Sequence, residues 1–207
     1  MSKKGLLYIG GGLLLILSTV LSVILDVKTS FGMWADKLPS LSYLIEIGFF
    51  KYYMQHMGIT QTIQWIIPIL IGLVLVAKAF VGDMIPDIVL VGLFGVLALL
   101  EGVAFLKSVP LLFRGGDIIE ALLSVTMNFL MVLAYGGMAA IIFMKDSFGG
   151  FFFVPAAAVG VNALLRLVLY SSVWSYYWSF KVVLLIFLLD MVFAAALFVI
   201  GKAVVED

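Results

Sequence analysis

The amino-acid sequence predicts an all-α integral membrane protein. It is expected to be a bundle of about six transmembrane helices in a single domain over residues 1–207, with one long interfacial or re-entrant segment (about 26–58) between the first two. Three observations lead there. Hydrophobic residues make up 65% of the chain and charged residues 12%, where a water-soluble domain carries about 45–50% and about 25%. Such a chain cannot cover itself with a hydrated surface, so lipid must be its solvent. Six windows reach the roughly 20 mostly apolar residues that a helix needs to cross a hydrocarbon core: 5–25, 60–80, 84–107, 118–144, 151–173 and 181–204. Glycine, proline and charge gather in the breaks, as in VGDMIPD at 81–87, FRGGD at 113–117 and KDSFGG at 145–150.

The first window follows Met-Ser-Lys-Lys and could pass for a secretion signal. Its apolar run is too long for one, and SVILDVK offers no small-x-small cleavage site, so it reads as a retained helix. Gly10, Gly11 and Gly12 form a patch that lets another helix backbone come close; Gly92–Gly95 and 156–160 are similar. Residues 26–58 are neither polar enough for a free loop nor apolar enough for a clear span, with Glu46 and Lys51 inside their best apolar window. An interfacial helix after Pro39 is the leading expectation, ahead of a lid-like re-entrant segment and a seventh span. In the second window Pro68 should kink the helix. Asp117 sits where it can cap the fourth helix. The fifth and sixth windows are joined by SSVWSYYWSF, whose Trp174, Tyr176, Tyr177 and Trp178 suit a tight turn at headgroup level.

Six spans place both termini on one face. Lys3, Lys4, Lys78, Lys145 and Lys202 then lie on the terminal side, and Lys28, Lys37, Lys51, Lys107, Arg114 and Lys181 on the other. Five against six is no charge bias. The two lysines ahead of the first helix have no acidic neighbours and tip the expectation towards a plasma-membrane protein with cytoplasmic termini.

Depth along the helices groups the intramembrane polar residues. Helices joined by a short turn run antiparallel, so Arg166, about 10 Å from the 173 end of its helix, and Asp190, about 13–14 Å from the same face, should meet as an ion pair. Glu101 lies about 9 Å and Asn128 about 15 Å from that face. Asn162 stands one turn from Arg166 on the same helical side. Glu101, Asn128, Asn162, Arg166 and Asp190 are therefore expected to form one polar cluster in one half of the bundle. Gln61, Gln64, Arg114, Asp117 and Glu120 stand nearer the surface as a possible vestibule. Charges within a membrane are expensive unless paired or functional. The cluster is read first as an ion-pair network that fixes helix packing and second as the lining of a cavity or proton path. Two acids face one arginine, so one carboxyl is either protonated or seeks a cation or an outside partner.

No cysteine is present and histidine occurs once, at His56, so disulfides, thiolate metal sites and bis-histidine haem are excluded. Twelve basic and twelve acidic residues leave no polycationic face for nucleic acid. No metalloprotease, serine-hydrolase or nucleotide-binding motif occurs, so no catalytic residue, metal or cofactor is expected. The leading expectation is a non-enzymatic polytopic subunit of a larger membrane complex, with the lipid bilayer and other membrane subunits as partners. A small carrier or channel for a polar solute, ion or proton, using the cluster, comes second. An intramembrane enzyme with paired carboxyls comes third.

Overall fold

A computed structural model describes the backbone of residues 2–30, 47–113, 117–173 and 180–206. Side chains are described over the same residues except 26–30, 47–59, 61, 83, 172 and 173. Among the described residues there is no strand. Six helices are long and apolar enough to cross a membrane. Among the described residues these spans are built on α1 (Lys3–Ser30), α2 (Ile47–Val81), α3 (Asp87–Ser108), α4 (Ile118–Phe143), α5 (Val154–Val168) and α6 (Phe180–Val205). The fifth span, Lys145–Ser171, is α5 together with the helical turns that flank it. Apolar side chains such as Phe80, Leu99, Leu106 and Phe113 stand outward, as they would if lipid surrounded the bundle.

The local reasons are ordinary ones. The Asp117 carboxylate accepts from the backbone N–H groups of Ile119 and Glu120 and caps α4, satisfying two of the donors a helix start leaves open. Gly82 takes a left-handed conformation (φ 61°) in the turn between α2 and α3, which glycine adopts without steric cost. A single helical turn, Lys145–Phe148, and a 3-10 turn, Gly149–Phe151, lead into α5. At its far end α5 passes into a π-helical turn, Leu169–Val173, where the Ser171 hydroxyl donates to the carbonyl of Leu167 at 2.6 Å.

The helices form a ring in the order α3, α4, α5, α6, α1, α2, and the α2–α3 seam that closes it is the least packed. α1 meets α2 backbone to backbone: a Cβ placed on Gly12 would stand 2.7 Å from the Gly72 carbonyl oxygen. Lys3 pairs with Glu206, so the start of α1 and the end of α6 lie together. The half of the ring nearest the termini is solid, filled by Leu75, Leu90, Phe94, Met138, Leu197 and Ile200.

The helices extend beyond the apolar windows into the segment at about 26–58: α1 runs on to Ser30, and α2 starts at Ile47 and continues to Val81. Its 35 residues rise about 52 Å at 1.5 Å per residue, more than the roughly 30 Å of a hydrocarbon core. Polar residues ended the apolar windows but not the helices, because i→i−4 bonding satisfies the backbone whatever the side chains are. Residues 31–46, with Pro39, and the aromatic turn at 174–179 lie outside the described residues.

Lys78, near the end of α2, ties that helix to the next. It is buried, donates to the Ile85 carbonyl at 2.6 Å and pairs with Asp87 at 2.9 Å, tying α2 to α3 at the terminal end of the seam. Lys78→Met is expected to cost about 1–2 kcal/mol, the scale of a hydrogen bond to a charged group. Amide hydrogen exchange over 82–89 should rise several-fold while the centre of α6 stays protected. Unchanged exchange there would show that the turn is held by its own backbone.

Candidate functional site

The other half of the ring is hollow. A cavity of about 320 Å³ lies there, and every one of the six helices contributes to its wall. The contributions follow helical spacing, so that one face of each helix points inward. Thr19 and Ser22 come from α1, Gln64, Trp65 and Pro68 from α2, and Glu101 and Ala104 from α3. Met127, Asn128, Met131 and Tyr135 come from α4, Val159, Asn162 and Arg166 from α5, and Asp190 and Phe193 from α6. Glu101, Asn128, Asn162, Arg166 and Asp190 thus share one cavity.

Arg166 meets Asp190 as their depths required. Its Nη1 donates to both carboxylate oxygens, at 3.1 and 3.3 Å. Both Asp190 carboxylate oxygens are thus bonded to the arginine. Glu101 accepts from Gln64 Nε2 at 3.0 Å across the α2–α3 seam, and it forms no salt bridge among the described residues. Asn128 donates to the Ala104 carbonyl at 3.4 Å, which holds α4 against α3. Asn162 is 4% exposed, and its Oδ1 has no hydrogen-bond partner among the described residues. A buried acceptor left unmade costs about 1–3 kcal/mol, so this atom is a reason to look for a missing donor.

Of the surface-ward group, Gln64 belongs to the cavity wall. Asp117 is exposed and serves as the helix cap, and Glu120 is half-buried outside the wall. The side chain of Gln61 and the whole of Arg114 lie outside the described residues. The expectation of a lid over the cluster fell on residues 26–58, whose side chains likewise lie outside them.

Several wall residues carried no sequence signal. Thr19 and Ser22 are hydroxyl residues of a kind common in apolar helices, and the Thr19 hydroxyl donates to the Leu15 carbonyl at 2.7 Å. Tyr135 and Phe193 pack edge to face with ring centroids 6.2 Å apart. Pro68 has no N–H, so the Gln64 carbonyl lacks its helical donor just where the wall is formed. The proline inside the helix was readable from the sequence; its place at the cavity was not. No group of three or more His, Cys, Asp or Glu side chains among the described residues is placed to hold a metal ion.

Compared with protein-family models, curated protein sequences and solved structures, the chain matches none.

Proposed function

We propose that the six helices cross a lipid bilayer and that the cavity binds a polar or charged ligand, so that the protein works as a small carrier. One observation carries this reading: a single cavity draws a polar side chain from each of the six helices while leaving the Asn162 Oδ1 unpartnered. A network that served packing alone would be expected to close on itself, since half-satisfied buried polar groups cost more than an apolar core. The volume falls at the lower end of ligand pockets, which run from about 300 to 1,000 Å³. Lys3 and Lys4 ahead of α1 support cytoplasmic termini in a plasma membrane.

The chain has no cysteine, which makes an accessibility test clean. Ala104→Cys places a thiol in the cavity wall, and Leu99→Cys places one on the outer face, where Leu99 is 72% exposed. In protein reconstituted into vesicles, a small water-soluble methanethiosulfonate should modify Ala104→Cys at least tenfold faster than Leu99→Cys. Equal, slow modification of both would defeat the carrier reading.

A second reading, a subunit of a larger membrane complex, is favoured by α3. Gly92, Gly95 and Gly102 would each meet nothing within 4 Å if a Cβ were added, and a smooth helix face of this kind suits another helix. A defined partner retained in mild detergent and released by Gly95→Leu would support it; identical particle size for Gly95→Leu and the native chain would count against it.

A further inference from the structure

We propose that the ligand is an organic cation, a protonated amine or quaternary ammonium on a compact apolar body, held by the Glu101 carboxylate and the Asn162 carbonyl oxygen. This rests on the cavity reading above and names its ligand class.

The charge count comes first. The wall holds two acids, Glu101 and Asp190, and one base, Arg166. Arg166 is engaged by Asp190 through both carboxylate oxygens, which leaves Glu101 as the acid in excess of the bases in the described wall. Glu101 accepts a hydrogen bond from the neutral amide of Gln64, a partner that offsets none of its charge. In low-dielectric surroundings an unbalanced charge calls for a counter-charge more strongly than it would in water. Among the described residues no lysine lines the cavity.

The second observation is independent of the first. The Asn162 Oδ1 is an acceptor, buried and without a donor among the described residues. Surplus carboxylate and unfilled acceptor ask for the same complement, a positively charged N–H group. An anion would find the arginine already bonded and the surplus carboxylate repelling it. An inorganic divalent ion would want more carboxylate or imidazole ligands than the wall assembles.

The rest of the wall selects an organic ion. Trp65, Tyr135 and Phe193 supply aromatic rings, whose faces attract a cation through their quadrupoles. Met131 and Val159 add apolar surface for its body.

The test uses the full chain purified in detergent and three probes of one shape: benzylammonium, benzyl alcohol and benzoate, titrated calorimetrically at constant ionic strength. Benzylammonium should bind at least tenfold more tightly than benzyl alcohol, and benzoate should not bind. Glu101→Gln keeps the side chain's shape and its acceptor for Gln64, so it should fold; it should weaken benzylammonium at least tenfold and leave benzyl alcohol unchanged. Asn162→Leu should weaken benzylammonium as well. Tighter binding of benzoate would overturn the cation class and make Arg166 the anchor, with the cavity reading intact. Benzylammonium binding that survives Glu101→Gln, or is displaced by equimolar sodium, would overturn it too. If no probe binds while Ala104→Cys stays reactive, the cation class falls and the cavity reading stands. If no probe binds and that cysteine is inert, both fall.

Discussion

Arg166→Leu is expected to lower the unfolding free energy by about 3 kcal/mol, the lower end of the cost of removing one partner from a buried ion pair, because the Arg166 side chain is 40% and the Asp190 side chain 17% exposed. The arginine is the one base in the cavity wall. Without it, Asp190 and Glu101 would face each other across low-dielectric space with no counter-charge among the described lining residues. Asp190→Leu should be milder, about 1–3 kcal/mol, because Glu101 shares the cavity and can take over as the arginine's partner. Their effects should therefore be unequal, and Arg166→Leu combined with Asp190→Leu should recover part of what Arg166→Leu loses. Unfolding of the three variants in detergent, followed by tryptophan fluorescence, decides this. Equal losses for the two single variants would mean that Glu101 cannot reach the arginine. No loss in either would mean that the 3.1 Å contact does not hold α5 to α6.

The second large effect is expected where α1 crosses α2. A Cβ on Gly12 would stand 2.7 Å from the Gly72 carbonyl oxygen, and one on Gly72 would stand 2.7 Å from the Gly12 carbonyl oxygen and 2.5 Å from Ile16 Cγ1. Backbone atoms cannot rotate away, so the helices must separate. Gly12→Ala or Gly72→Ala should cost about 1–3 kcal/mol, and valine more. Gly11→Ala should cost less, because its nearest obstacle, at 2.6 Å, is Cγ1 of Ile200, a side-chain atom. Gly92→Ala meets nothing within 4 Å and should stabilise α3 by about 0.5–1 kcal/mol, since glycine inside a helix costs about that much relative to alanine. Thermal unfolding of the four variants should rank Gly72→Ala and Gly12→Ala lowest, then Gly11→Ala, then the native chain, with Gly92→Ala highest. A Gly12→Ala protein as stable as the native one would show that α1 and α2 do not meet there.

Much of this was readable because the depth of a residue along an apolar helix can be counted. The fourth window, 118–144, falls within a residue of Ile118–Phe143, and 181–204 within a residue of Phe180–Val205. The same count brought Glu101, Asn128, Asn162, Arg166 and Asp190 to similar depth, and they share a cavity. Rotation about the helix axis and the order of helices around the ring were not countable. Tyr135 and Trp65 were therefore indistinguishable from the aromatics that face outward, and the wall contribution of Thr19 carried no signal. Lys78 was placed only by side of the membrane; its bonds to the Ile85 carbonyl and Asp87 in the next turn carried no sequence signal. The second apolar window began at residue 60, although α2 starts at Ile47, because nothing in the polar residues before it breaks backbone hydrogen bonding.

The central claim is that the cavity is a ligand site and not a closed structural network, and ligand-free stability separates the two. Sites that await a ligand carry unfavourable arrangements that substitution can relieve. Glu101→Gln removes the surplus charge while keeping the acceptor for Gln64 Nε2. The decisive measurement is the melting temperature of purified Glu101→Gln against the native chain, with no ligand added. A ligand site predicts a temperature equal to or above that of the native protein. A fall of more than about 4 °C, the shift that about 1 kcal/mol produces in a chain of this size, would contradict it and make Glu101 a structural partner of Arg166.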